Sequence, residues 1–147
     1  MKTTYTPTLQ SFHIEGIKHI TPAEAMVALT NHEAVLIDVR EENEVLIESV
    51  PLDNVLYHPM SVILDRLPHI TKNQNIILGC PGGVRSSKVA NLLRIQGYPN
   101  VANLDGGFTA WKAQGLPFGS ILPPADGCGC NCSSCNTADG DVKSSCC

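Results

Sequence analysis

A short apolar run in this chain ends near a cysteine and leads through two glycines into an amphipathic stretch, and few folds accommodate that order. Residues 76–78 are apolar, Cys80 comes two residues later, and Gly82 and Gly83 precede Arg85. The order predicts a buried strand, a tight loop and a helix, with the thiol at the floor of the loop. Because a helix N-terminus has unpaired N–H groups and a partial positive charge, it favours a thiolate there. The segment therefore predicts a nucleophilic cysteine.

The rest of the body alternates between the two kinds of secondary structure. Strands are predicted at residues 19–20, 35–39, 55–58, 76–78 and 101–104, and helices at residues 22–30, 61–67, 85–96 and 108–114. Thr21 is the predicted N-cap of the first helix, and Pro68 is expected to end the second. This alternation predicts an α/β domain with a mostly parallel central sheet flanked by helices.

The cysteines divide the chain into a body and a tail. Only Cys80 lies in the body, and the other six are Cys128, Cys130, Cys132, Cys135, Cys146 and Cys147. A disulfide framework would distribute cysteines through the domain that it cross-links, so this pattern argues against one. We predict a polar lead-in at residues 1–16, the α/β domain at residues 17–118 and a flexible, cysteine-rich tail at residues 119–147.

Charge and hydropathy narrow the classes of partner. The net charge is -4, and the ten Lys and Arg residues are scattered without a basic run, so no nucleic-acid partner is predicted. The N-terminus has no apolar core typical of a signal peptide, and no apolar run is long enough to span a bilayer. We therefore expect a cytoplasmic protein with no membrane partner.

Four motifs in one order resemble a known family. They are Ile20-Thr21-Pro22-Ala23-Glu24, Leu36-Ile37-Asp38-Val39-Arg40, Cys80-Pro81-Gly82-Gly83-Val84-Arg85-Ser86, and Leu104-Asp105-Gly106-Gly107 with Trp111. Over residues 17–117, the chain resembles a single-domain rhodanese, a sulfurtransferase. The resemblance implies a three-layer rhodanese-like fold. Four residues separate Cys80 from Arg85, as in sulfurtransferases, whereas related phosphatases and arsenate reductases have five.

The resemblance also implies a mechanism and a set of site residues. Cys80 would be the catalytic residue that takes sulfane sulfur as a persulfide, from thiosulfate, another small donor or a protein persulfide. The acceptor would be a thiol or cyanide, and no cofactor is required. The substrate-binding loop would present the N–H groups of Gly82, Gly83, Val84, Arg85 and Ser86. Asp38 and Arg40 would support the site structurally.

One position in the loop departs from the family pattern. Pro81 stands where many members have arginine, so the loop lacks a cationic side chain and one N–H. Fewer positive groups near the sulfur weaken the binding of doubly charged thiosulfate more than that of a neutral or protein-borne persulfide. We therefore expect thiosulfate to be a poor donor.

An alternative function depends on the tail. Cys128, Cys130, Cys132 and Cys135 form a C-x-C-x-C-x-x-C pattern, whose thiolates could bind Zn²⁺ or Cu(I). In this interpretation the body is a non-catalytic, rhodanese-fold binding module. Free thiols, or thiols that exchange sulfur with Cys80, are the other interpretations of the tail. The histidines have no ligand spacing and are expected at the surface; they are His13, His19, His32, His58 and His69.

Overall fold

A computed structural model of the chain describes residues 1–120. Its main feature is a five-stranded sheet in the order β1-β6-β5-β2-β4, in which every neighbouring pair is parallel. Helices cover both faces, so the predicted three-layer α/β fold with a parallel central sheet is confirmed. Residues 121–147, which hold most of the predicted tail and its possible metal ligands, lie outside the described residues.

The elements follow one another closely along the chain. The strands are β1 (Lys18–Ile20), β2 (Ala34–Asp38), β3 (Glu48–Ser49), β4 (Val55–Tyr57), β5 (Asn75–Gly79), β6 (Val101–Leu104) and β7 (Gly119–Ser120). The helices are α1 (Pro22–Thr30), α2 (Glu42–Ile47), α3 (Ile63–Arg66), α4 (Val84–Ile95) and α5 (Gly107–Ala113), and 3₁₀ turns at Met60–Val62 and Leu67–His69 flank α3. No helix within residues 1–120 has both the length and the apolar character needed to cross a bilayer.

The sheet separates two apolar cores. Ile76 and Leu78 of β5 point to one core with Val89 and Leu93 of α4, whereas Ile77 points to the other with α1 and α5. This alternation follows from the two-residue period of a strand. A central strand that is covered on both faces is apolar throughout, which is why residues 76–78 form a continuous apolar run.

Most predicted elements are found within one or two residues of their predicted positions, and the differences have local causes. Thr21 caps α1, because its hydroxyl accepts the N–H of Glu24 at 3.3 Å. Pro68 does not end the helical segment but lies within the 3₁₀ turn at Leu67–His69, where a proline is tolerated in the first turn. The β3–β7 pair was not predicted, since two-residue strands leave no periodicity in the sequence.

The predicted lead-in packs on the carboxyl end of the sheet. Thr4 forms an antiparallel bridge with His19, and the N–H groups of Thr8 and Leu9 donate to the Asp105 carboxylate at 2.8 and 3.1 Å. The two bonds to Asp105 join segments nearly a hundred residues apart. They place the lead-in beside the loop that follows β5.

Candidate active site

The loop after β5 curls around the sulfur of Cys80. The N–H of Gly83 lies 3.0 Å from Sγ and that of Ser86 lies 3.3 Å from it. Gly83 is the N-cap of α4 and has φ = +90°, a left-handed conformation that glycine adopts without steric cost. This conformation turns the chain so that two amides point at one atom. Both hydrogen bonds favour the ionised sulfur over the neutral thiol.

The sulfur lies deeper than a surface nucleophile would. Cys80 is only 1% exposed and belongs to the apolar core that α4 covers. Of the five N–H groups predicted to converge on the site, those of Gly83 and Ser86 contact Sγ. Within residues 1–120, the N–H groups of Gly82, Val84 and Arg85 have no hydrogen-bond acceptor.

Two cavities lie against elements that surround the cysteine loop. Two cavities of about 320 and 310 Å³ flank the region, and neither is lined by Cys80. The first lies against α4, and the second lies between α2 and the end of β4. Neither cavity therefore reaches the sulfur in this conformation.

The base of the loop is fixed by α5. The N–H of Phe108 donates to the Cys80 carbonyl at 2.9 Å, and that of Thr109 donates to the Pro81 carbonyl at 3.0 Å. Gly107 allows this close approach, since a Cβ there would lie 2.3 Å from the Cys80 oxygen. The motif that ends in Trp111 thus holds the backbone of the nucleophile, and Trp111 itself is fully buried in the core.

Arg85 is paired rather than free. Its two terminal nitrogens donate to the two carboxylate oxygens of Glu44 on α2, each at 2.9 Å. The hydrogen bond from Arg85 lowers the pKa of Glu44 to about 2, from an ordinary 4.5. The same bond raises the pKa of Arg85. The pair braces the loop against α2 and neutralises the arginine that the loop contributes.

The Glu44–Arg85 pair should make stability depend on pH. Because folding lowers the pKa of Glu44, its contribution is complete above about 4.5 and is lost as the pH falls through about 2. Both side chains are about one-third exposed. After allowance for solvent screening, Glu44→Gln should cost about 1 kcal/mol of unfolding free energy at neutral pH. Urea denaturation across that pH range measures it.

Glu42→Gln is the matched control for this prediction. It removes the same charge from α2 at a residue with no ion pair in the part of the chain that the structure describes. We expect this variant to keep the wild-type loss of stability between pH 4.5 and 2, whereas Glu44→Gln should flatten it. Equal behaviour of the two variants would contradict a role for the pair.

Asp38 and Arg40 form a second ion pair at the end of β2. Arg40 donates to Asp38 at 2.7 Å and to the carbonyl of Glu48 at 2.8 Å, and its guanidinium lies 4.8 Å from the centre of the Phe108 ring. Asp38 accepts the backbone N–H of Arg40 at 3.0 Å. Both residues are buried. They join the ends of β2, β3 and α5, and neither bonds to the sulfur of Cys80.

A buried polar network under the sulfur was not predicted. Ser86 Oγ lies 3.2 Å from Sγ and 2.5 Å from Oδ1 of Asn103. Nδ2 of Asn103 lies 3.0 Å from Oε1 of Gln10 and 3.0 Å from Nδ1 of His19. An asparagine inside the apolar strand at residues 101–104 is the only sequence signal that could have indicated this network.

The surface position predicted for His19 is wrong. His19 is 1% exposed because β1 is the edge strand that the lead-in covers. Burial lowers the pKa of His19 and outweighs the opposing effect of Asp105. Its Nε2 has no partner among residues 1–120, and the ring borders a cavity of about 180 Å³. His58 is partly buried, and this burial lowers the pKa of its ring.

The described residues hold no constellation suited to a metal ion. No group of three or more His, Cys, Asp or Glu side chains converges within residues 1–120. The cysteines predicted as metal ligands, Cys128, Cys130, Cys132 and Cys135, are outside that range. The possible binding of Zn²⁺ or Cu(I) by the tail therefore stays a prediction.

Comparisons with known proteins bear on this site. A family model described as "Rhodanese-like domain" matches residues 21–114. The chain is 35% identical over 86 residues to a sulfurtransferase of Allochromatium vinosum, covering 58% of this chain and 78% of that protein. It is 32% identical over 98 residues to the thiosulfate sulfurtransferase GlpE of Pseudoalteromonas translucida, covering 67% and 91% respectively.

A solved structure supports the same relationship. The crystal structure of a rhodanese-like domain protein from Staphylococcus aureus superposes with a TM-score of 0.58 at 34% sequence identity, covering 63% of this chain and 89% of that one. The region that the family model matches, residues 21–114, includes the cysteine loop and α5, which together form much of the site described above.

Proposed function

Because this chain belongs to the rhodanese-like domain family, we propose that it carries sulfane sulfur as a persulfide on Cys80 and passes it to a thiophilic acceptor. Relatives described as sulfurtransferases support sulfurtransferase activity in general. The observation that supports Cys80 as the carrier is the pair of amides, from Gly83 and Ser86, that point at its sulfur. Such donors stabilise the anion that attacks a sulfur donor.

Two steps make up the proposed reaction. In the first, the Cys80 thiolate attacks the sulfane sulfur of the donor, and the bond between that sulfur and the rest of the donor breaks. Thiosulfate would release sulfite, and a persulfide RS–SH would release the thiolate RS⁻ while its proton stays on the transferred sulfur. In the second, cyanide or a thiolate attacks the outer sulfur, and Cys80 departs as a thiolate. No external oxidant or reductant is needed in either step.

The three unpartnered loop amides give the outer sulfur a place to bind. The N–H groups of Gly82, Val84 and Arg85 have no acceptor in the described part of the chain, and those of Val84 and Arg85 open α4. An anionic outer sulfur would accept from this end of the helix, where the helix dipole also favours negative charge.

Cyanolysis by the purified full-length protein tests the proposal. Thiosulfate, polysulfide and glutathione persulfide are supplied in turn, and thiocyanate is measured. We expect transfer from at least one donor, together with a mass gain of one sulfur atom on the Cys80 peptide that cyanide removes. No transfer from any of the three donors would overturn the proposal.

Thiosulfate should be the poorest of these three donors. Both arginines near the site are neutralised, since Arg85 pairs with Glu44 and Arg40 with Asp38. Pro81 adds no charge to the loop. Pro81→Arg should therefore raise kcat/KM for thiosulfate by about tenfold, the effect of one charge-assisted hydrogen bond, with less change for glutathione persulfide. Steady-state kinetics with each donor measures this.

Pro81→Leu is the matched control for the added charge. It restores the same backbone N–H without a cation, so we expect it to leave the ranking of donors unchanged. If Pro81→Leu and Pro81→Arg raise kcat/KM for thiosulfate by the same factor, the missing amide explains the donor preference and the missing cation does not.

The non-catalytic alternative rests on the tail. If the body is only a binding module, the full-length protein should bind Zn²⁺ or Cu(I) through Cys128, Cys130, Cys132 and Cys135, and should transfer no sulfur. Native mass spectrometry of the full-length protein, compared with a variant in which these four residues are serine, measures metal content independently of turnover.

A further inference from the structure

Gln10, in the lead-in, has an amide whose orientation is fixed by backbone groups. Its Oε1 accepts the N–H of Gly106 at 2.9 Å, and its Nε2 donates to the carbonyls of Phe12 at 2.7 Å and Gly83 at 3.3 Å. A backbone N–H can only donate and a carbonyl can only accept, so the amide cannot be reversed. The backbone therefore determines which end of Gln10 faces Asn103.

Gln10 in turn fixes Asn103, which is fully buried on β6. Because Oε1 of Gln10 can only accept, the Asn103 atom 3.0 Å from it must be the nitrogen, Nδ2. The second hydrogen on Nδ2 points to Nδ1 of His19 at 3.0 Å. His19 accepts there, so its proton resides on Nε2 and the ring is neutral. The oxygen of Asn103 is left facing Ser86.

Asn103 then determines where the Ser86 hydroxyl points. Oδ1 of Asn103 can only accept, so Ser86 donates its single hydrogen to Oδ1 at 2.5 Å. No second hydrogen remains for the Cys80 sulfur, 3.2 Å from Ser86 Oγ. Ser86 therefore presents a lone pair to the sulfur. That arrangement suits a neutral thiol, whose S–H can donate, and opposes a thiolate.

We infer that Asn103 is a positioning residue which, through Ser86, opposes ionisation of Cys80 in the resting protein. This rests on the proposed function, in which Cys80 is the sulfur carrier. The amides of Gly83 and Ser86 favour the thiolate, and the lone pair of Ser86 favours the thiol. If the oxygen of Asn103 is removed, the Ser86 hydroxyl can rotate and become a third donor to the sulfur.

The charged groups around Cys80 are each compensated. Arg85 is paired with Glu44, and Asp38 with Arg40. Asp105, at the end of β6, accepts the amides of Thr8 and Leu9, and neutral His19 contacts the sulfur only through Asn103 and Ser86. The Ser86 hydroxyl is therefore the group near the sulfur whose hydrogen can be redirected without breaking an ion pair.

The test is the pH profile of Cys80 alkylation in the full-length protein. Iodoacetamide is quenched at intervals, and mass spectrometry follows the Cys80 peptide separately from the tail cysteines. Asn103→Leu, which is close to isosteric, should raise the rate near pH 6 about tenfold, as expected for one hydrogen bond to an ion. The rate at the alkaline plateau should stay the same, because it reports the reactivity of the thiolate.

The rival interpretation is that Ser86 donates its hydrogen to the sulfur. Ser86→Ala distinguishes the two by whether the alkylation rate rises or falls. If Ser86 accepts from the thiol, Ser86→Ala should raise the alkylation rate near neutral pH by about twofold to threefold, a weak hydrogen bond lost from the neutral form. If Ser86 already donates to the sulfur, the rate should fall instead. The double variant, which combines Asn103→Leu with Ser86→Ala, should be alkylated at the same rate as Ser86→Ala, because Asn103 acts through Ser86.

Gln10→Leu keeps the inference testable if Asn103→Leu does not fold. Gln10 is only partly buried, and its loss lets Asn103 turn over and release the Ser86 hydroxyl, so alkylation should again accelerate. The inference would be overturned if Ser86→Ala were alkylated more slowly than the wild type. It would also be overturned if the double variant were alkylated faster than Ser86→Ala alone. Alkylation needs no sulfur donor, so cyanolysis by the same preparations reports separately on the proposed function.

Discussion

Cys80→Ser is expected to reduce sulfur transfer from every donor by about a thousandfold or more, the scale on which loss of a catalytic nucleophile acts. A serine hydroxyl is a weak nucleophile at neutral pH and cannot form the S–S bond that stores the transferred sulfur. The amides of Gly83 and Ser86 would still find an acceptor in the serine oxygen, so the loop should keep its conformation. Cyanolysis, with urea denaturation as the check on folding, measures the effect.

The tail supplies the control for Cys80→Ser. A variant with serine in place of all six tail cysteines keeps Cys80 as its one thiol, and we expect it to retain transfer. The cysteines replaced are Cys128, Cys130, Cys132, Cys135, Cys146 and Cys147. If transfer instead follows the tail thiols and survives in Cys80→Ser, the carrier lies in the tail and the proposed mechanism is wrong.

Gly107→Ala should destabilise the fold most among single methyl additions at the site. Gly107 has φ = +65°, and a Cβ there would lie 2.3 Å from the Cys80 oxygen and 2.5 Å from the Pro81 oxygen. Those are backbone atoms, so relief requires moving the loop. The left-handed conformation alone costs about 1–2 kcal/mol for an alanine. With the clash, we expect a loss of about 3 kcal/mol or more in unfolding free energy.

Gly115→Ala separates the cost of the left-handed backbone from the cost of the clash with the Cys80 loop. Gly115 also has a left-handed φ of +74°, but a Cβ there meets no atom within 4 Å. We expect it to lose only the conformational cost of about 1–2 kcal/mol and to keep its sulfur transfer. Urea denaturation of both variants, with cyanolysis alongside, makes the comparison. Equal losses would show that the close approach of α5 to the Cys80 loop does not stabilise the fold.

Local sequence was enough to predict the backbone around the nucleophile. The apolar run before Cys80, the glycines after it and the amphipathic stretch from Arg85 correspond to β5, the loop and α4. Thr21 was likewise identified as the cap of α1. Such features depend on neighbours within a few residues, whose chemistry is visible in the sequence.

The hydrogen-bond and ion-pair partners of the site residues could not be predicted from the local sequence. Arg85 pairs with Glu44, which is 41 residues away and one of many acidic residues in the chain. Asn103 meets Gln10 across 93 residues. The burial of His19 was not predicted, because it depends on a bridge with Thr4 that no periodicity reveals. Each of these contacts depends on which strands are neighbours.

The amino-acid sequence by itself determined the order of the elements, the family and the position of Cys80 at the end of a buried strand. Only the tertiary structure decided what surrounds the sulfur. Placing β6 between β5 and β1 brings Asn103 and His19 beneath Ser86, while the lead-in adds Gln10 from outside the sheet. The physical reason is that secondary structure forms through interactions between nearby residues, whereas hydrogen-bond partners inside a core are set by the strand order and the packing of distant segments.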